Sequence, residues 1–332
     1  IIYSVMKKKI LIAGGGGFIG GHLVNFYSNK GYQVISLDIK KKKHWYQINK
    51  NVKNIVGDCR DPLVCDRVTK GIDFVFNLAC DMGGMGFIEN NKALCMLSSV
   101  ININLLKSAK KNKIKKFFYS SSACVYPSYN QKNHRQPRQK ESEVYPADPE
   151  DGYGWEKLFS ERMCRHFMED YGIEVRIARY HNIYGPYGTY DGGREKAPAA
   201  LCRKVIGAKK NNDNKIEVWG DGKQTRSFLH VDECIEAVLR LMESNFMEPV
   251  NIGSEEMVSI NDLAKMAMNI AGKKQSIKHI PGPLGVRGRN SDNNLINEKL
   301  GWKPNSPLLN GMTVTYKWIE KQVINREKQI SS

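Results

Sequence analysis

The chain predicts an α/β fold, a doubly wound parallel sheet joined to a smaller, mixed C-terminal domain. Three observations carry this. Short apolar runs alternate with helical stretches through the first half of the 332 residues. Those runs are continuous rather than apolar-polar alternating, as strands buried on both faces of a parallel sheet require. The first run ends in four glycines, 14–17, and a helix pattern opens directly after them.

The apolar runs place strands over 9–13, 33–37, 54–56, 74–78, 117–121 and 174–178, with helices over 20–28, 94–111 and 155–171. The lysines at 7–9 followed by Ile10 to Ala13 imitate a signal peptide. The apolar stretch is only a strand's length, however, so it is read as the first strand, with Met6 as a candidate natural start. Beyond 182 the pattern loosens into Gly- and Pro-rich loops. A strand end and amphipathic helix over 228–244 return to the first domain, and the polar, basic stretch 128–140 reads as a surface loop. The expected division is 1–181 plus about 228–256 for the first domain, and about 182–227 plus 257–332 for the second.

Composition excludes several classes. With 41% hydrophobic and 26% charged residues, disorder is excluded for most of the length. No apolar run approaches the ~18 residues of a membrane span. Eight cysteines are scattered without a CxxC or a neighbouring His cluster, which speaks against a metal site or disulfide framework and for a reducing cytoplasm. The net charge of +17 raises the question of a polyanionic partner.

The glycines parse as GxGxxG (15, 17, 20) or as GxxGxxG (14, 17, 20). Glycines between a strand and a helix let the backbone approach a pyrophosphate, whose charge then rests on the helix N-terminus. This is the Rossmann arrangement, and it makes Gly14, Gly17, Phe18, Ile19 and Gly20 candidate cofactor residues. Asp38 ends the second strand 18 positions past Gly20, where a carboxylate accepts the adenosine ribose hydroxyls. That carboxylate repels the extra phosphate of NADP and so favours NAD. The lysines at 40–43 are read as a solvated loop.

Tyr153 and Lys157 stand at i and i+4, on one helix face. A nearby ammonium is expected to lower the phenol from ~10 toward neutrality, which suits moving a hydroxyl proton during hydride transfer. Together with the strand Phe117 to Tyr126, bearing Ser120-Ser121-Ser122, these motifs resemble the extended short-chain dehydrogenase/reductases that act on nucleotide sugars. The resemblance implies that Ser122 works beside Tyr153 and that Lys157 also binds the nicotinamide ribose.

Cys124 lies two residues past Ser122, so on a continuing strand it faces the same way. Nucleotide-sugar dehydratases have a glutamate at the corresponding place, and a thiol there can exchange a proton with a carbon acid. Six stretches narrow the resemblance to the GDP-mannose 3,5-epimerases: DMGGMGF from Asp81, SSACVYP from Ser121, HNIYGP from His181, GGREKAP from Gly192, QTRSF from Gln224 and GVRGRNSDNN from Gly285. The resemblance implies a role for each matching residue. By it, Cys124 and Lys196 form the acid/base pair that inverts carbons on opposite faces of the sugar. Gly83, Ser122, Ala123, Asn182, Glu195 and Ala197 contact the sugar or its neighbourhood. Lys204, Gln224, Thr225, Arg226 and Arg289 hold the nucleotide diphosphate, and Asp58 lies near the adenine of NAD. The same resemblance implies a homodimer through the helices near 94–111 and 155–171, with neither nucleic acid nor membrane as partner. The expected reaction takes GDP-mannose to GDP-L-galactose through transient C4 oxidation, proton exchange at C3 and C5, and re-reduction.

Two rivals share the fold. A nucleotide-sugar 4-epimerase needs no thiol, and a 4,6-dehydratase needs the acid that Cys124 replaces. A non-catalytic NAD- or RNA-binding scaffold has only the surplus charge in its favour. The two expected ligands are polyanions, which gives part of that charge a use in a basic cleft.

Overall fold

A computed structural model describes residues 8–135 and 138–331. Met6, the candidate start, lies outside them, as do two residues of the loop at 128–140. Strands β1 (Lys9–Ala13), β2 (Gln33–Asp38), β3 (Lys53–Val56), β4 (Phe74–Asn77), β5 (Lys116–Ser122) and β6 (Glu174–Tyr180) match the six expected runs closely. A seventh strand, Val250–Ile252, was not foreseen and pairs with β6. The sheet runs in the order seventh strand, β6, β5, β4, β1, β2, β3, all parallel.

The uninterrupted apolar strands follow from this layering. In β1, Ile10 and Ile12 pack on one face with Leu23, Val34 and Phe118, while Leu11 and Ala13 pack on the other with Val75, Phe117 and Ile177. Helices α1 (Phe18–Asn29), α2 (Pro62–Thr69), α3 (Met85–Asn90), α4 (Lys92–Met96), α5 (Ser98–Lys111) and α6 (Asp151–Tyr171) lie between and after the strands. The single helix expected over 94–111 breaks at Leu97 into α4 and α5. Helices α7 (Ala197–Lys210) and α8 (Val231–Glu243) come later in the chain. Val231, Cys234, Val238 and Leu241 of α8 return to the first core. So do Ile296 and Trp302, although 257–332 was expected wholly in the second domain. A third core gathers Leu201 and Val205 of α7 with Leu263, Ala267, Met312 and Tyr316.

Two buried carboxylates anchor α6 beneath β5 and β6. Glu161 accepts from Arg179 at 2.8 and 2.9 Å, and also from Ser121. Glu156 accepts from the Tyr119 hydroxyl and from Ser160. Helix α6 thereby presents Tyr153 and Lys157 at the carboxyl ends of the strands. Among the described residues, no helix is long and apolar enough to cross a membrane.

Candidate active site

A cleft of about 560 Å³ opens at the carboxyl ends of the sheet and is lined by Gly17, Asp38, Asp58, Ser122, Tyr153 and Lys196, among others. It lies where β1 and β4 neighbour each other and the strand order reverses, the usual ligand position in such sheets. The amides of Gly14 and Gly15 donate to the Leu37 carbonyl at 2.8 and 3.0 Å. Gly14 holds φ +86°, and a Cβ on Gly20 would stand 2.1 Å from the Gly14 carbonyl oxygen. The 14/17/20 spacing therefore describes the turn. Gly17 caps α1 without a side-chain partner, leaving the positive end of the helix bare beside the cleft.

Asp38 accepts from the Lys40 amide at 2.9 Å and is 8% exposed. Asp58 is gripped by Arg60 at 2.8 Å, and that hydrogen bond holds its carboxyl below the ordinary range. A backbone cradle that a Cβ would fill, an uncapped helix start and a carboxylate ending β2 fit a dinucleotide. The lysine run departs from the expected solvated loop at one position. Lys40 Nζ donates to the Gly16 carbonyl at 2.8 Å, because Trp45 anchors the Lys40 carbonyl and turns the chain back over the glycines.

Lys157 is 2% exposed and donates to the Ser120 carbonyl at 3.0 Å, with Glu156 3.7 Å away. Its Nζ lies 5.5 Å from the centre of the Tyr153 ring. The expectation that this ammonium brings the phenol toward neutrality is overturned. Burial, with Cys80, Cys124 and Glu156 adding to it, holds Tyr153 well above its ordinary value, and the Ser122 hydroxyl opposes only in part. The physical reason is that the ring packs with Ile88, Cys95 and Cys124. Burial also works against the Lys157 charge, but the Cys80 and Glu156 groups outweigh it and hold that ammonium above its ordinary value.

Cys124 reaches the site by a different route from the one expected. Strand β5 ends at Ser122, and residues Ala123–Val125 form a 3₁₀ turn. The Ser122 side chain accepts from the Cys124 amide at 3.2 Å and so caps that turn. Strand alternation therefore does not place the thiol; the cap does. Lys196 caps α7 and is half-buried, and desolvation pushes its ammonium below the ordinary lysine value. The Cys124 thiol opposes that shift, and Lys196 lines the cleft together with Tyr153, against which Cys124 packs. The lysine's loop is locked from the other side: the Gly84 amide donates to the Arg194 carbonyl at 3.1 Å, and a Cβ on Gly84 would stand 2.4 Å from the Glu195 carbonyl oxygen. A Cβ on Gly83 would likewise meet Phe87 at 2.7 Å and Arg194 at 3.2 Å.

Arg226 and Arg289 lie on strands. They are cross-strand neighbours in a small three-stranded sheet, where Thr225–Ser227 pairs with Gly288–Arg289 and with Met257–Ser259. Arg289 pairs with Glu150 at 2.7 Å. Arg226 is 8% exposed and donates to the Thr225 and Leu284 carbonyls. Burial, followed by the adjacent Arg289 charge, pushes its guanidinium down to about 10. Two buried cations with one carboxylate between them leave a surplus positive charge.

Comparison with known proteins places this geometry. The NAD dependent epimerase/dehydratase family matches residues 10–253. The chain belongs to that family. It is 52% identical over 321 residues to the GDP-mannose 3,5-epimerase of Arabidopsis thaliana, an alignment spanning 96% of this chain and 84% of that one. A GDP-mannose 3,5-epimerase of Oryza sativa subsp. japonica is 49% identical over 97% of this chain and 84% of its own length. Among solved structures, UDP-glucose 4-epimerase from Thermotoga maritima superposes with a TM-score of 0.85 at 27% identity, covering 95% of this chain and 99% of that one. UDP-glucuronic acid 4-epimerase from Bacillus cereus, in complex with UDP-glucuronic acid and NAD, gives 0.81 at 25% identity over 95% and 99%. NAD is the cofactor, and the substrate is a nucleotide sugar.

Several residues expected at the epimerase site have other partners in this structure. Asn182 donates to the Ser227 carbonyl at 3.0 Å, and Thr225 to the His134 carbonyl. Glu195 pairs with Arg203 at 2.9 Å and accepts from the Gly193 amide. Lys204 donates to the Glu217 carbonyl, and Ala123 packs into a small core with Tyr126 and Leu158. Ala197 is simply the first residue of α7. Gln224 is 6% exposed and its side-chain oxygen has no partner among the described residues. Sequence reading missed Cys80, Glu150, Gln131 and Glu156. Glu156 carried a signal in its adjacency to Lys157; the others meet the site only through tertiary contact.

Proposed function

We propose that this epimerase inverts C3 and C5 of GDP-mannose to give GDP-L-galactose, with Tyr153, Ser122, Lys157, Cys124 and Lys196 carrying the chemistry. The observation that carries the reading is that Tyr153 packs with Cys124 on one side and lines the same cleft as Lys196 on the other. A 4-epimerase has no use for a second acid/base pair. The 52% identity to the Arabidopsis thaliana enzyme supports the same substrate. The 14/17/20 turn, the α1 N-terminus and Asp38 would hold NAD, which would supply a hydride acceptor for C4 oxidation and, once reduced, a hydride donor for the re-reduction. Tyr153 would act as the phenolate in receiving the C4 hydroxyl proton, a form that the Lys157 ammonium and the positive nicotinamide ring of bound NAD would favour against the burial that holds the phenol up, with Ser122 sharing the hydrogen bond. The resulting 4-keto group acidifies C3–H and C5–H. The electron pair of each broken C–H bond moves onto the carbonyl oxygen as the proton leaves for one member of the Cys124/Lys196 pair. The other member returns a proton from the opposite face. Arg226, a buried cation with carbonyl partners, meets the diphosphate with its surplus charge.

The reading includes a division of the chain into an NAD-binding domain and a nucleotide-sugar domain. It also includes a homodimer through α4, α5 and α6, whose Met96, Leu97, Trp155 and Phe159 are 46 to 52% exposed. A monomeric mass in solution removes that part. Eight free cysteines suit a reducing cytoplasm. The deciding experiment is incubation with GDP-mannose in D₂O and NMR of the product sugar. GDP-L-galactose with deuterium at C3 and C5 is expected, and protium at both carbons sinks the reading.

A further inference from the structure

Arg289 spends each of its three nitrogens on a different partner. Nε donates to Gln131 Oε1 at 2.7 Å, Nη2 to Glu150 Oε2 at 2.7 Å, and Nη1 to the Cys124 sulfur at 3.4 Å. A guanidinium is planar, so fixing two arms fixes the third. The third arm falls on the thiol.

Glu150 is the joint of this arrangement. Its amide donates to the Cys124 carbonyl at 3.2 Å, and it caps α6, the helix that carries Tyr153. Its second carboxylate oxygen accepts from the Val286 amide at 3.2 Å, tying down the loop that leads to Arg289. The Glu150 and Arg289 side chains are 11% and 5% exposed. Burial works against the Glu150 charge, but the Arg289 and Arg226 cations outweigh it and keep the carboxyl below its ordinary value. Main chain and side chain of one residue thus hold the turn bearing Cys124, the start of α6 and the arm that touches the sulfur. The neighbouring Arg226 donates to carbonyl oxygens instead, which leaves its charge for the diphosphate.

We propose that Glu150 is a positioning residue for the epimerisation steps: acting through Arg289, it keeps a guanidinium N–H on the Cys124 sulfur. This rests on Cys124 being one of the proton-exchanging groups. With Glu150 removed, Arg289 loses one of the two arms that fix it, the sulfur loses its donor, and exchange at carbon slows while C4 oxidation continues.

The test uses the whole NAD-loaded protein as Glu150→Ala, Glu150→Gln and Cys124→Ala. Two signals are followed in one reaction with GDP-mannose in D₂O: absorbance of reduced cofactor, and deuterium appearing at C3 and C5. For Glu150→Ala the proposal expects deuterium incorporation to fall about tenfold or more, while C4 oxidation holds and reduced cofactor accumulates. KM for GDP-mannose should stay level or drop. Glu150→Gln keeps an acceptor oxygen and should recover part of the exchange rate, which also covers the case in which the alanine variant does not fold. Equal loss of both signals in the glutamine variant, or a raised KM with unchanged exchange, overturns the proposal. If Cys124→Ala still exchanges at both carbons, the reading of Cys124 fails first. If Cys124→Ala is silent and both Glu150 variants exchange normally, the proposal alone fails.

Discussion

Replacing Gly84 with alanine should separate carbon epimerisation from cofactor binding. The new Cβ would stand 2.4 Å from the Glu195 carbonyl oxygen and 3.8 Å from the Lys196 Cα, while ordinary contact begins at 3.4 Å. The Glu195 carbonyl must therefore retreat by about 1 Å, and Lys196 is the next residue. A displacement of ~1 Å in a group that has to meet a reacting atom costs roughly 10²-fold in rate. The overpacking itself costs about 1–3 kcal/mol of stability. Gly84 packs against the Lys196 loop and is not part of the 14/17/20 turn, so NAD affinity should stay at the level of the unmodified protein. The assay is deuterium incorporation at C3 and C5 of GDP-mannose, set beside NAD titration of the same preparation. Gly207→Ala is the control. It lies inside α7, an added Cβ there meets nothing within 4 Å, and the change should gain about 0.5–1 kcal/mol without touching turnover. Wild-type exchange by Gly84→Ala, with NAD bound normally, would refute the idea that this glycine holds the Lys196 loop in place.

Arg226→Met should raise KM for GDP-mannose by about tenfold or more while leaving the melting temperature level or higher. Removing a buried cation that donates to carbonyls relieves desolvation; a clear drop in melting temperature with unchanged KM would contradict this. His181 is fully buried, shares a hydrogen bond of 2.9 Å with Asn251, and is pushed down to about 3, chiefly by burial. The unfolded chain then binds a proton near pH 6.5 that the folded chain refuses. This contribution to stability is complete above about pH 6.5 and is lost as pH falls toward 3. Denaturant midpoints for His181→Gln should fall less steeply across that window, and an identical slope would remove His181 as a cause.

The site was legible in proportion to how local its determinants are. The boundaries of β1 were readable to the residue, because apolar continuity and the following glycines are adjacent in sequence. The glycine turn, Asp38 and the Tyr153–Lys157 pair are local patterns of the same kind. The strand Val250–Ile252 spans three residues, too few for any period, and is a strand only because β6 offers it an edge. Cys124 was singled out by its residue type and spacing, while the geometry that places it is a capped turn.

Sequence by itself determined the parallel sheet, the dinucleotide turn and the types of residue available for proton transfer, since each depends on neighbours within about twenty positions. Tertiary structure alone decided what those groups experience. The Tyr153 phenol is held up by residues from three segments, Arg289 is turned onto a sulfur 165 positions away, and Arg226 is left beside it with its charge uncompensated. Hydrogen bonding, desolvation and charge act through distance in space, and no spacing along the chain encodes that distance.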